Sequence, residues 1–128
     1  MRAPGSDGLP LAVATGSRQV HVAGQVARDG RGRALAPGDL AGQVAHALRN
    51  TGAGLAAAGA GFGDVVRLTF YVTDWNPEEV FGSFTAGVEQ VAEELGLPRP
   101  LPPSSLIGAS HLFEPDDLVE VEATAVVD

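Results

Sequence analysis

Glu120 and Glu122 stand two residues apart in Leu118-Val119-Glu120-Val121-Glu122-Ala123, a segment that alternates polar and apolar residues. In an extended strand that spacing puts both carboxylates on one face, with Leu118 and Thr124. Val119, Val121, Ala123 and Ala125 share the other. On an exposed face the pair is simply two solvated acids, the ordinary fate of glutamate. If the face packs in an oligomer, Glu120 is partly desolvated and its pKa rises. It can then serve as general acid and base on a bound water. Gly24-Gln25 follows an apolar segment. Glycine there lets a ligand approach the backbone, or marks nothing more than a bulge or turn.

Other chemistries find less support. His21, His46 and His111 are scattered, without the spacing that metal ligands need, and read as surface or packing residues. The chain has no cysteine, which excludes disulfides, thiolate catalysis and cysteine-based zinc sites. Ser104, His111 and Asp116 could be drawn as a triad, but no nucleophile-elbow motif accompanies them. The glycines from Gly52 to Gly63 fall within or after a helical pattern, whereas a phosphate-binding fingerprint opens one. Trp75 suits either a pocket wall or an interface. Neither a metal nor a cofactor is expected.

At 128 residues the chain is expected to form one domain over residues 9–128, after a loose tail at residues 1–8 rich in proline and glycine. Hydrophobic residues make up 45% and charged residues 19%, a globular balance. Net charge is −8, and the acids crowd the second half: residues 64–128 hold two arginines against thirteen Asp or Glu. That balance lacks the basic stripe that nucleic acid or an anionic membrane surface attracts. Met1 to Gly8 has no basic-then-apolar leader pattern, and no apolar run reaches membrane-spanning length. A cytoplasmic protein is the expectation.

These side chains need a frame. Leu11–Thr15 and Val20–Ala23 read as strands, and Asp29-Gly30 as a turn with a strand on each side. Asp39 caps a helix carrying Leu40, Val44, Leu48 and Leu55 on one face, which Gly59-Ala60-Gly61 ends. Gly42, Gly52 and Gly54 weaken it. Asp64 to Asp74 is a strand by its β-branched and aromatic content. Asn76-Pro77-Glu78-Glu79 starts a second helix, with Val80, Phe84, Val88, Val91 and Leu95 at helical spacing and Gly96 as its stop. After a proline-rich stretch, strands follow near Ser105–His111 and Leu118–Val127. The order β-β(-β)-α-β-α-β-β implies a mixed sheet with both helices on one face. The other face is left for a partner, which favours self-association.

Several segments together resemble the RidA/YjgF family, also labelled L-PSP endoribonuclease-like. They are Val20-His21-Val22-Ala23-Gly24-Gln25, Asp39-Leu40-Ala41-Gly42-Gln43 with Leu48-Arg49-Asn50, Ala58-Gly59 with Asp64-Val65-Val66, Tyr71-Val72-Thr73-Asp74, and the closing Leu118 to Ala123. They span about residues 16–127 in the family's order. The resemblance implies an α+β, chorismate-mutase-like fold. It also implies a homotrimer with sheets inside, helices outside and three small-molecule clefts between subunits. The family's deaminases hydrolyse enamine and imine intermediates released by pyridoxal-phosphate enzymes. An arginine grips the substrate carboxylate and a glutamate helps to activate water.

Carried over residue by residue, Glu120 matches the glutamate and Gly24 the cleft glycine. Ser105 stands in place of the arginine, Ala23 in place of a serine, and Ile107 where a cysteine or small polar residue is frequent. Near Leu9 there is no pocket tyrosine. Losing a bidentate charged pair removes about 2–5 kcal/mol of carboxylate recognition. The expected pocket is wider, more apolar and less anion-seeking, and its substrate lacks a simple carboxylate. Ser104 or Ser105 would orient water or substrate, and Arg99 in the proline-rich loop is a candidate replacement charge. A ligand-binding trimer without turnover is the alternative, and ribonuclease activity is disfavoured by the charge.

Overall fold

A computed structural model describes residues 16–128. The expected tail at residues 1–8, the strand at Leu11–Thr15 and the position near Leu9 lie outside the described residues. The elements are strand β1 (Arg18–Gln25), helix α1 (Leu40–Ala57), a short 3₁₀ turn (Phe62–Asp64), β2 (Val65–Val72), helix α2 (Pro77–Leu95), β3 (Ser104–Gly108) and β4 (Val119–Val127). The four strands make one sheet in the order β1-β4-β2-β3. β4 runs antiparallel to both β1 and β2, while β2 and β3 are parallel, joined through α2. This is the expected α+β arrangement.

The helix ends follow local chemistry. Asp39 accepts a hydrogen bond from the Gly42 amide at 3.0 Å, satisfying one orphan N–H of α1. Asn76 sits before α2, Pro77 opens it, and Glu78 and Glu79 lie at the positive end of its dipole. Gly96 closes it in the left-handed conformation at φ 63°.

Both helices lie on one side of the sheet. Val44, Leu48 and Leu55 of α1 and Val80, Val88 and Val91 of α2 are buried against Leu68, Phe70 and Val72 of β2 and Val119, Val121, Ala123 and Ala125 of β4. Phe70 and Phe84 meet edge to face, their ring centroids 4.7 Å apart. The helices approach each other at Gly87, where a Cβ would fall 2.5 Å from the Ala41 carbonyl oxygen and 2.7 Å from Val44 Cβ. Glycine at this point of α2 sets the closeness of the helix pair.

The strand expected after Asp29-Gly30 is not formed. Only an isolated bridge joins Arg28 to Ala34. The Asp29 carboxylate takes the amides of Arg31 and Arg33 at 2.9 and 3.0 Å, which withholds those two donors from a ladder. β3 also ends at Gly108, short of His111, because β2 stops at Val72 and offers no further partner.

Gly87→Ala should lower stability by about 1–3 kcal/mol through overpacking, outweighing the roughly 1 kcal/mol that alanine adds to helix propensity. Urea unfolding checks this; an unchanged or higher midpoint would show that α1 and α2 separate freely.

Candidate functional site

The expected alternation places Glu120, Glu122 and Thr124 of β4 on the sheet face that carries no helix. The register adds Gln19, His21 and Ala23 of β1, Arg67, Thr69 and Tyr71 of β2, and Ser105 and Ile107 of β3. This face is polar.

Glu120 owes its position to an irregularity in β1. Val22 pairs with Ala123 and Gln25 with Val121, so Ala23 and Gly24 together oppose one residue of β4. Such a bulge re-aims the chain at the sheet edge. The Glu120 carboxyl lies against the backbone of Gly24; a Cβ there would fall 2.6 Å from its Cδ and Oε2. Glu120 borders a cleft of about 400 Å³ with Gly24, Val26, Arg28, Phe113 and Asp117. Desolvation is the main force raising its pKa, helped by the negative charges of Glu122 and Asp117. The adjacent cation does not offset this, since Arg28 is already held by Asp116 and, at 3.1 Å, by Asp117. Asp117 is buried, and one of its oxygens has no hydrogen-bond partner among the described residues.

Ser104, Ser105 and Ile107 lie on β3, the strand at the opposite edge of the sheet. Ser104 Oγ donates to the Pro102 carbonyl at 2.7 Å. Ser105 Oγ receives a hydrogen bond from Arg67 Nη2. Between the two edges, the Tyr71 hydroxyl donates to Glu122 Oε1 at 2.8 Å, and this bond is the main reason the phenol's pKa is raised.

One chain therefore brings Gly24 to Glu120 and sets Ala23 opposite Glu122, and leaves Ser104, Ser105 and Ile107 on the β3 edge, with β2 between them and Glu120. Arg99 joins neither group. It makes two hydrogen bonds to Glu89 of α2, at 3.0 and 2.9 Å, and lines a separate apolar groove with Phe84, Val88 and Leu97. Arg67 carried no weight in the sequence. Its position beside Ser105 comes from cross-strand register, although a lone basic residue in the β-prone run Val65–Val72 was a visible signal. Trp75 is half-exposed and lies against Gly108. His21 bonds Gln19 and Thr124, and His46 contacts Arg49. No cluster of potential metal ligands occurs among the described residues, and no helix there is long and apolar enough to cross a membrane.

The family profile described as Endoribonuclease L-PSP matches residues 10–127. The chain belongs to the RidA/YjgF family. A Rid-family protein of unknown function from Yersinia pestis is 34% identical, with a TM-score of 0.74 over 87% of this chain and 80% of its own. Escherichia coli TdcF, solved with bound serine, is 30% identical with a TM-score of 0.72, covering 98% of this chain and 93% of its own. A rat 2-iminobutanoate/2-iminopropanoate deaminase is 35% identical over 75 residues, 59% of this chain. That match spans only 55% of the rat protein. RidA/YjgF membership agrees with the observed sheet and with both helices packing on one side of it.

The raised Glu120 pKa has a consequence for stability. Between the ordinary glutamate value of 4.5 and the raised one, the folded state binds more protons than the unfolded state. Stability contributed by this group therefore falls as pH rises through that window. Glu120→Gln should be more stable than wild type near pH 7, by less than about 1 kcal/mol because the side chain is partly solvated. The advantage should vanish below the ordinary carboxylate pKa. Urea midpoints across pH check this; a variant less stable than wild type near neutrality would mean that the carboxylate is a favoured, paired anion.

Proposed function

We propose that this protein is a cytoplasmic homotrimer that hydrolyses a small reactive imine or enamine in clefts between subunits, without a cofactor. Glu120 is the catalytic acid and base. The observation that carries this reading is the Glu120 carboxyl, partly desolvated against Gly24 and without a cation of its own. Such a group, its pKa raised above the ordinary carboxylate value, is suited both to take and to give a proton.

In the reaction Glu120 removes a proton from water as the oxygen attacks the imine carbon. The imine enters protonated, so this attack gives a neutral carbinolamine. Glu120 returns its proton to nitrogen, the C–N bond breaks to release ammonia, and the hydroxyl proton passes back to Glu120 as the carbonyl forms. An enamine enters the same path after protonation at carbon. Ala23 and Gly24 form the wall beside Glu120. Ser104, Ser105 and Ile107 of a neighbouring subunit form the opposite wall, with a serine hydroxyl orienting water or substrate. The split of these residues over two sheet edges supports assembly from two chains, since an oligomer can bring one edge to another. The rat relative's name supports the reaction class. Because Ser105 cannot make a charged fork, 2-aminoacrylate is a poor substrate. The family label also suggests RNA, but a net charge of −8 gives phosphates no attractive surface.

A second reading is a trimer that binds small molecules without turnover, favoured by the serine bound in the Escherichia coli relative. Glu120→Gln decides between them. The hydrolytic reading expects kcat to drop by about 10²- to 10⁴-fold with ligand binding retained. Equal turnover of imines by variant and wild type would reject it. Sedimentation should give three times the 13.1 kDa chain mass, and a monomer would remove the cleft altogether.

A further inference from the structure

We propose that Arg67 reads an anionic group of the ligand over the uncovered sheet face, supplying from β2 the positive charge absent at position 105. The inference rests on the reading of the cleft as a small-molecule site and deepens it by naming the ligand as an acid. Thr69 is the β2 partner of Ser105, and Arg67 lies two residues before it on the same uncovered face. Its side chain leans across to β3, where Nη2 bonds Ser105 Oγ. Arg28, Arg33, Arg49 and Arg99 are each held by a carboxylate within ion-pair distance, and Arg67 has no such pair among the described residues. The one carboxylate that shares its cavity, Glu122, already accepts from the Tyr71 hydroxyl. The cavity, about 390 Å³, lies over β1, β4 and β2, where His21, Ala23 and Thr69 also border it, and Arg67 reaches from it toward Ser105 on β3.

The small size of Ser105 is part of the arrangement. A long cation at 105 would set two guanidiniums side by side, whereas a hydroxyl accepts one and aims it. The charge also stands at the root of residue 105 and not at the end of a long side chain there. An acid group meeting it lies deeper over the sheet. This favours ligands whose carboxylate is several bonds from the reacting carbon over those with an acid directly attached to it.

Two probes of equal chain length separate charge from shape: levulinate, a ketone with a carboxylate two carbons beyond the carbonyl, and neutral 2-pentanone. Binding to the full protein is followed by NMR titration. Wild type should prefer levulinate, and Arg67→Met should weaken levulinate by about ten- to a hundredfold, the size of a lost charged hydrogen bond, without changing 2-pentanone. Arg67→Lys should keep part of the preference. Failure of wild type to prefer levulinate, a preference retained in Arg67→Met, or equal loss of both probes would overturn the proposal. The readout is binding, so it is independent of turnover. An active Glu120→Gln variant would reject the hydrolase and leave Arg67's role standing; an Arg67→Met variant with intact preference would do the reverse.

Discussion

The sheet has two faces and the described chain has helices for one of them. α1 and α2 bury Leu68, Phe70, Val121 and their neighbours almost completely, so the core is finished on that side. On the other side, strand alternation leaves a row of carboxylates, hydroxyls and a guanidinium over the same four strands. A polar sheet face is tolerable in water, and its groups stay functional only because they are not needed for the core. The chemistry proposed for this protein draws on that second face.

Within it, one local device sets the position of the proposed catalytic group. The β1 bulge inserts an extra residue opposite β4, and Gly24 removes the Cβ that would occupy the space of the Glu120 carboxyl. The result is a carboxyl pressed against backbone, with Glu122 and Asp117 as its charged neighbours and Arg28 committed elsewhere. All three circumstances favour the protonated form. The β3 edge differs in character: Ser105 and Arg67 are hydroxyl and cation, suited to holding a ligand more than to moving protons. The proposed proton-transfer group thus faces the β1 edge, and the proposed anion-reading group leans from β2 toward β3.

Much of the frame was legible because it depends on neighbours in sequence. Asp39, Asn76-Pro77 and Gly96 mark helix ends through bonds and angles made within a turn or so, and the alternation of Val119 to Ala125 assigns each side chain to a face. Legibility failed where side chains compete for partners that propensity does not weigh. The Asp29 carboxylate drew nearby amides into a loop where a strand was expected. Arg99 was a plausible inward charge until Glu89, ten residues earlier on α2, claimed it. Arg67 went unweighed because its relation to Ser105 depends on the pairing of β2 with β3, which the residues alone do not state. Glu120 and Gly24, by contrast, were legible as separate candidates; only the register showed that they touch.

The claim that the site is completed by a second chain is tested most directly by subunit complementation. One variant, Glu120→Gln, spoils the wall that Glu120 of β4 forms beside Gly24 of β1; another, Ile107→Trp, blocks the β3 edge. Each alone should be inactive on an imine generated in solution. After the two are dissociated together and reassembled at random, about a quarter of the clefts regain two intact walls, because a head-to-tail interface takes one edge from each neighbour. Recovered turnover near that fraction is the predicted result. Two inactive variants that remain inactive in the mixture would place the whole site within a single chain and contradict the account.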